Sequence, residues 1–128
     1  MIQELNAIVI DVNDLERSAA FWTGLSGSRP DKTSASGDDW LSVGSLGGST
    51  WFVLQRVPER KTVKNRVHLH FRVDDVEKEI ARIIELGGSQ KSDVRAISGV
   101  TMADPEGNEF CIGKFPKKQD FVYPTSDQ

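Results

Sequence analysis

Asn6 to Ser28, NAIVIDVNDLERSAAFWTGLSGS, and Val67 to Ser89, VHLHFRVDDVEKEIARIIELGGS, align without a gap. Val12 matches Val73, Asp14 matches Asp75, Glu16 matches Glu77 and Ala20 matches Ala81. Leu25, Gly27 and Ser28 match Leu86, Gly88 and Ser89. Each copy reads as a strand, an acidic turn, an amphipathic helix and a glycine stop. A repeat of this length fixes the architecture before any single residue is weighed. It predicts two equivalent units related by a pseudo-twofold, and a cavity between such units is a natural place for a small ligand.

Working outward, Leu5 to Val12 is β-branched and predicts a strand. Asn13 or Asp14 caps a helix running to about Leu25, with Gly27 as its stop. A polar loop follows, roughly Ser26 to Asp38. Trp40 to Val43 and Trp51 to Arg56 predict a hairpin across Ser45-Leu46-Gly47-Gly48-Ser49. In the second copy, Val67 to Val73 is a strand, Asp75 to Leu86 a helix and Asp93 to Ile97 a weak strand. Gly99 to Ala103 and Glu109 to Phe115 form a hairpin around Asp104-Pro105-Glu106-Gly107-Asn108. Asp104 is expected to cap that turn. The chain therefore reads as one domain over 1–128: module one about 1–56, a basic linker 57–66, module two about 67–115 and a tail 116–128. The fold class is α+β, βαβββ written twice in tandem, with mainly antiparallel sheet. Phe121 and Tyr123 in the tail are candidates for packing against the body or a partner.

The chain has 128 residues, a net charge of −3, 38% hydrophobic and 27% charged residues. That is enough for a core, and it offers no basic field for nucleic acid. No apolar run is long enough to span a bilayer, so no membrane role is expected. The beginning, MIQELNAIVI, lacks the basic start and cleavage pattern of a secretory signal. The single Cys111 cannot form an internal disulfide, which fits a reducing cytoplasm.

Strand residues alternate between faces. Ile8, Ile10 and Val12 share one face of the first strand, Leu69, Phe71 and Val73 the matching face of its counterpart, and Phe110 and Ile112 that of the last strand. These sets are expected to pack under the helices. The opposite faces carry Ala7, Val9 and Asp11, then His68, His70 and Arg72, then Glu109 and Cys111, with Trp51, Val53 and Gln55 alongside. This mixture suits a pocket wall. The alternative is a face left to solvent or closed by a second copy. Cys111 is either a nucleophile tuned by a nearby histidine or a small buried apolar residue, the commoner case. Glu109 is either one half of an acid–base pair with a histidine or an ionised wall residue paired with Arg72. The linker basic residues are either a lure for anionic ligands or a solvated loop. Trp22 is expected in the core, and Trp40 and Trp51 either in the core or stacked on a planar ligand.

The repeat, the DVNDLERSAAFW turn-helix and the DPEGNEFCI hairpin resemble the vicinal oxygen chelate superfamily of glyoxalases, bleomycin-resistance proteins and extradiol dioxygenases. The resemblance covers nearly the whole chain to about Phe115. It implies paired modules forming a curved, incomplete eight-stranded barrel around a cavity, in a homodimer. Metal-dependent members carry ligands at positions that here hold Ala7, Gln55, His68 and Cys111. Of these, His68 alone is a good ligand in its expected place, so the resemblance implies a metal-free protein with no cofactor. It would bind a small hydrophobic or drug-like molecule through Asp11, Trp51, Gln55, His68, His70, Glu109 and Cys111. Two alternatives stand beside that reading. One is a lyase or dioxygenase in which His68 and Glu109 are catalytic and a divalent ion sits in a displaced His68, His70, Glu109 site, a ligand set known in iron and zinc centres. The other is a non-catalytic interaction module.

Overall fold

A computed structural model describes residues 1–30, 38–48 and 50–117. The element order is β1 (Ala7–Val12), α1 (Leu15–Ser26), β2 (Trp40–Ser42), β3 (Trp51–Arg56), β4 (Leu69–Arg72), α2 (Val76–Glu85), β5 (Ser89–Gln90), β6 (Val100–Ala103) and β7 (Glu109–Gly113). The two helices start alike. Asp14 and Asp75 each accept a hydrogen bond from the backbone N–H three residues on, Arg17 in one case and Lys78 in the other. These bonds satisfy donors that a helix start leaves without partners. Gly27 ends α1 in the left-handed conformation, φ 77°. α2 stops two residues before the position aligned with the end of α1, and the left-handed turn comes one residue earlier, at Gly87 with φ 104°. Gly88 serves a different need, because a Cβ there would lie 2.7 Å from both the Ala103 carbonyl oxygen and the Ile83 side chain.

The strands form two separate sheets, ordered β1-β3-β2 and β4-β7-β6-β5. In each, the first strand runs parallel to the last, with Ala7 opposite Trp51 and His70 opposite Cys111. The remaining pairs are antiparallel. The sheets are thus more mixed than the sequence suggested, because each helix carries the chain to the far edge of its sheet and the antiparallel strands that follow bring it back beside the first strand, which it meets in parallel. Seven strands are present among the described residues, in two sheets that do not close into a barrel. The expected polar loop 26–38 and the tail with Phe121 and Tyr123 lie largely outside the described residues. The weak strand expected at Asp93 to Ile97 is replaced by β5 at Ser89–Gln90, paired with Ala103 and Met102. Gly87 and Gly88 turn the chain straight back onto β6, so pairing begins early. Residues 95–99 then form a tight loop closed by an Arg95–Gly99 bridge, with Ile97 on its exposed tip.

One core serves both sheets. Val12, Leu41, Phe52 and Leu54 from the first join Val100, Met102, Phe110 and Ile112 from the second, with Leu15, Phe21, Trp22, Ile80 and Ile83 from the helices. The expected apolar faces are therefore the packed ones. Trp22 is the meeting point, as a core position: its ring lies 5.0 Å from Phe52, 5.1 Å from Phe110 and 6.3 Å from Phe71. Its Nε1 donates to the buried carboxylate of Asp104 at 3.2 Å. Asp104 also accepts from the backbone N–H groups of Glu106 and Asn108, both at 2.9 Å, and so caps the turn as expected. Glu106 reaches the other way and accepts from the N–H groups of Asn13 and Asp14 at 2.5 and 2.6 Å. The second hairpin turn thereby grips the start of α1, where a negative charge is favoured.

Candidate functional site

With the helices on one side, each sheet keeps a helix-free face. On the first sheet it carries Ala7, Val9 and Asp11 beside Trp51, Val53 and Gln55, in register across β1 and β3. Val9 and Trp51 are 44% and 50% exposed, more than core packing would leave them. On the second sheet the face carries His68, His70, Arg72, Thr101 and Cys111. His68 lies one residue before β4, yet the period of two still aims it with His70.

His68, His70 and Cys111 converge. The two imidazole Nε2 atoms are 3.1 Å apart. Donor atoms of all three side chains lie within 4.8 Å of one another. Both histidines are exposed, and Cys111 is buried beneath them. Burial, and after it the charge of neighbouring His68, push the His70 imidazole below its ordinary pKa.

Two residues that the sequence reading passed over support the cluster. Phe115 stacks on His70 with centroids 4.8 Å apart and planes at 15°. Thr101, opposite Cys111 in the β6–β7 register, places its Oγ1 3.5 Å from Sγ. That hydroxyl accepts a hydrogen bond from Arg95 at 3.0 Å. The signals were in the sequence: Phe115 follows Cys111 at the period of two, and Thr101 follows from hairpin register.

Glu109 stands apart from this group. Its carboxylate accepts from the Asn65 N–H at 3.2 Å and from Lys64 at 3.4 Å, with Lys61 at 3.9 Å. Partial burial works to raise its pKa, but the Asn65 N–H and the two lysines outweigh it and hold it below the usual carboxylate value. Arg72, considered as the partner of Glu109, pairs with Asp74 at 2.9 Å instead. Among the described residues, the third donor that meets the two imidazoles is Cys111. Asp11, Trp51 and Gln55 belong to the other sheet. Beside His70, an open depression of about 300 Å³ is lined by Arg72, Asp74, Lys114, Phe115 and Lys117 among others.

The sequence profile of a glyoxalase-like domain matches residues 7–113. The chain belongs to the glyoxalase-like domain family. A search of curated proteins finds no significant relative. Solved structures share the glyoxalase-like fold. A fosfomycin resistance protein, FosX, from Listeria monocytogenes, solved with Mn(II) and 1S,2S-dihydroxypropylphosphonic acid, superposes with a TM-score of 0.73 at 19% identity, covering 94% of this chain and 98% of that one. A hypothetical protein, SA1046, from S. aureus gives 0.68 at 23%, covering 88% and 96%. A glyoxalase/bleomycin resistance protein/dioxygenase family enzyme from Burkholderia phytofirmans PsJN gives 0.69 at 19%, covering 86% and 97%. At these identities the likeness establishes the fold alone.

Of the four positions that the resemblance assigns to metal ligands, His68 and Cys111 meet on the second sheet, and Ala7 and Gln55 lie on the first. Ala7 has no donor atom and sits in register with Trp51. Gln55 lies on the first sheet opposite Asp11, while His68 directs its Nε2 to His70 on the second. No helix among the described residues is long and apolar enough to cross a membrane.

Proposed function

We propose that this glyoxalase-like domain binds a small, drug-like organic molecule on the helix-free face of the second sheet, with His68 and His70 as its polar contacts. The observation that carries this reading is the convergence of two imidazoles over a buried thiol on a face that the core does not need. Folding gains little from crowding two exposed imidazoles to 3.1 Å, so their placement is better explained by a ligand that both can address. Phe115 offers an apolar wall, and Arg72, Lys114 and Lys117 at the adjoining depression favour a ligand that also carries an anionic group. The phosphonate named with the Listeria FosX structure is therefore a sensible first probe. Hydrogen bonding of this kind needs no metal ion. A homodimer would bring a second copy against the exposed face of the first sheet, where Val9 and Trp51 lie, in the cytoplasm.

The test is a thermal-shift and calorimetric screen of metal-free protein against phosphonates, carboxylates and planar antibiotics. The expected result is saturable, one-to-one binding that weakens about tenfold or more in His70→Ala and Arg72→Ala. A ligand bound equally well by both variants would refute the placement. A second reading, a lyase or oxygenase, draws on the same cluster with Cys111 in the place foreseen for Glu109. It would show as turnover that His68→Ala abolishes.

A further inference from the structure

We propose that His68, His70 and Cys111 form a zinc(II) site of two imidazoles and one thiolate, built wholly on the second sheet, with its fourth position open to the helix-free face. The proposal deepens the ligand-binding reading and rests on the same side chains. It keeps two of the four positions that the resemblance assigns to ligands, His68 and Cys111, and replaces the other two with His70, a donor from β4 where Ala7 and Gln55 on the other sheet supply none.

Geometry is the first argument. Zinc bonds of about 2.0–2.1 Å to nitrogen and about 2.3 Å to sulfur, at tetrahedral angles, separate donors by about 3.3–3.6 Å. The two Nε2 atoms stand at 3.1 Å, and no pair in the trio exceeds 4.8 Å. Closing the widest gap needs a shift of about 1 Å, which falls to the exposed imidazoles while packing holds Cys111 still. Residues 68 and 70 share a face, and His70 is the lateral neighbour of Cys111 in the β4–β7 ladder. Three donors thus come from adjacent backbone positions, with no loop to order.

The surroundings supply the second argument. Thr101 accepts from Arg95 at 3.0 Å, which leaves its hydroxyl proton free to donate to Sγ at 3.5 Å. Such a bond stabilises a thiolate. Phe115 fixes the plane of His70. Two of the three ligands therefore have an orienting partner, as ligands in working metal sites do. Binding of the ion would release the thiol proton to solvent. A thiolate with two imidazoles is a borderline-soft set that favours zinc over manganese.

The experiment uses the full chain, stripped with chelator and titrated with cobalt(II), zinc(II) and manganese(II) without any organic ligand. One equivalent of cobalt should bind with a near-ultraviolet thiolate-to-cobalt band, zinc should displace it, and manganese should not. Cys111→Ser should abolish the band. His68→Ala and His70→Ala, both at exposed positions that leave the core intact, should each weaken binding about tenfold or more, and Thr101→Val should weaken it about tenfold. No stoichiometric uptake by folded wild-type protein, a band surviving Cys111→Ser, or manganese binding as tight as zinc would each overturn the proposal. Ligand binding is measured on metal-free protein, so failure of either idea leaves the other standing or falling on its own data.

Discussion

Replacing Glu106 tests how the second hairpin turn holds the first helix. Its two carboxylate oxygens each take one backbone N–H, from Asn13 at 2.5 Å and from Asp14 at 2.6 Å. The side chain is only 8% exposed, so water cannot easily substitute on the acceptor side. Hydrogen bonds to a charged group contribute about 1.5–3 kcal/mol each. Asn13 and Asp14 are themselves exposed, so the low end applies, with recovery of part of each bond from water. The sum for Glu106→Ala is about 2 kcal/mol. Arg17, at 3.9 Å and 55% exposed, adds little. Glu106→Gln is the sharper probe, because an amide offers one acceptor and turns an NH₂ toward the second donor. It should cost nearly as much as alanine. With a urea m-value of about 1.5 kcal/mol/M, the midpoint should fall by about 1.3 M in either variant. If Glu106→Gln unfolds within about 0.3 M of wild type while Glu106→Ala does not, one oxygen suffices and the two-acceptor reasoning is refuted.

Three further outcomes follow from geometry already described. Gly99→Ala would place its Cβ 2.1 Å from the Ile112 carbonyl oxygen at φ 71°, whereas Gly27→Ala meets nothing within 4 Å at φ 77°; the first should lose about 3 kcal/mol or more and the second about 1 kcal/mol in urea melts, separating clash from backbone strain. Trp22→Phe keeps an aromatic ring in the core but removes one donor from buried Asp104, for a loss of about 2 kcal/mol by calorimetry. The folded pKa of Glu109 is depressed, so its stabilising contribution is complete above the ordinary glutamate value and disappears as pH falls through the lowered one. Glu109→Gln should therefore lower stability near neutrality and flatten this part of the acid limb of a stability–pH curve, and an unchanged limb would contradict the ion pairing.

Much of the fold was legible because it rests on local rules. The aligned Asp14 and Asp75 give both helix starts, and alternation along β1, β4 and β7 separates core from helix-free face. The site was legible in part. His68 and His70 announce themselves by spacing, but the approach of Cys111 depends on the β4–β7 register, which is a long-range property. Glu109 shares a strand with Cys111 and a face by alternation, yet it is drawn to the linker. Nothing in a strand pattern foretells that Asn65, Lys61 and Lys64 fold over it. The displacement of β5 to Ser89–Gln90 has the same character, since it follows from which of two adjacent glycines turns the chain.

The position of Trp22 bears on how far the two halves of the chain depend on each other. Its ring is the shared property of strands from both repeats, touching Phe52 on one side and Phe71 and Phe110 on the other. Neither repeat has a private interior. A fragment ending near Arg56 would deprive that indole of Phe71 and Phe110, and one beginning at Val67 would keep α2 but lose Phe21, Trp22 and the first sheet from its core. The tryptophan ties the two halves to a common fate, so that a lesion on either side is felt by the whole molecule at once.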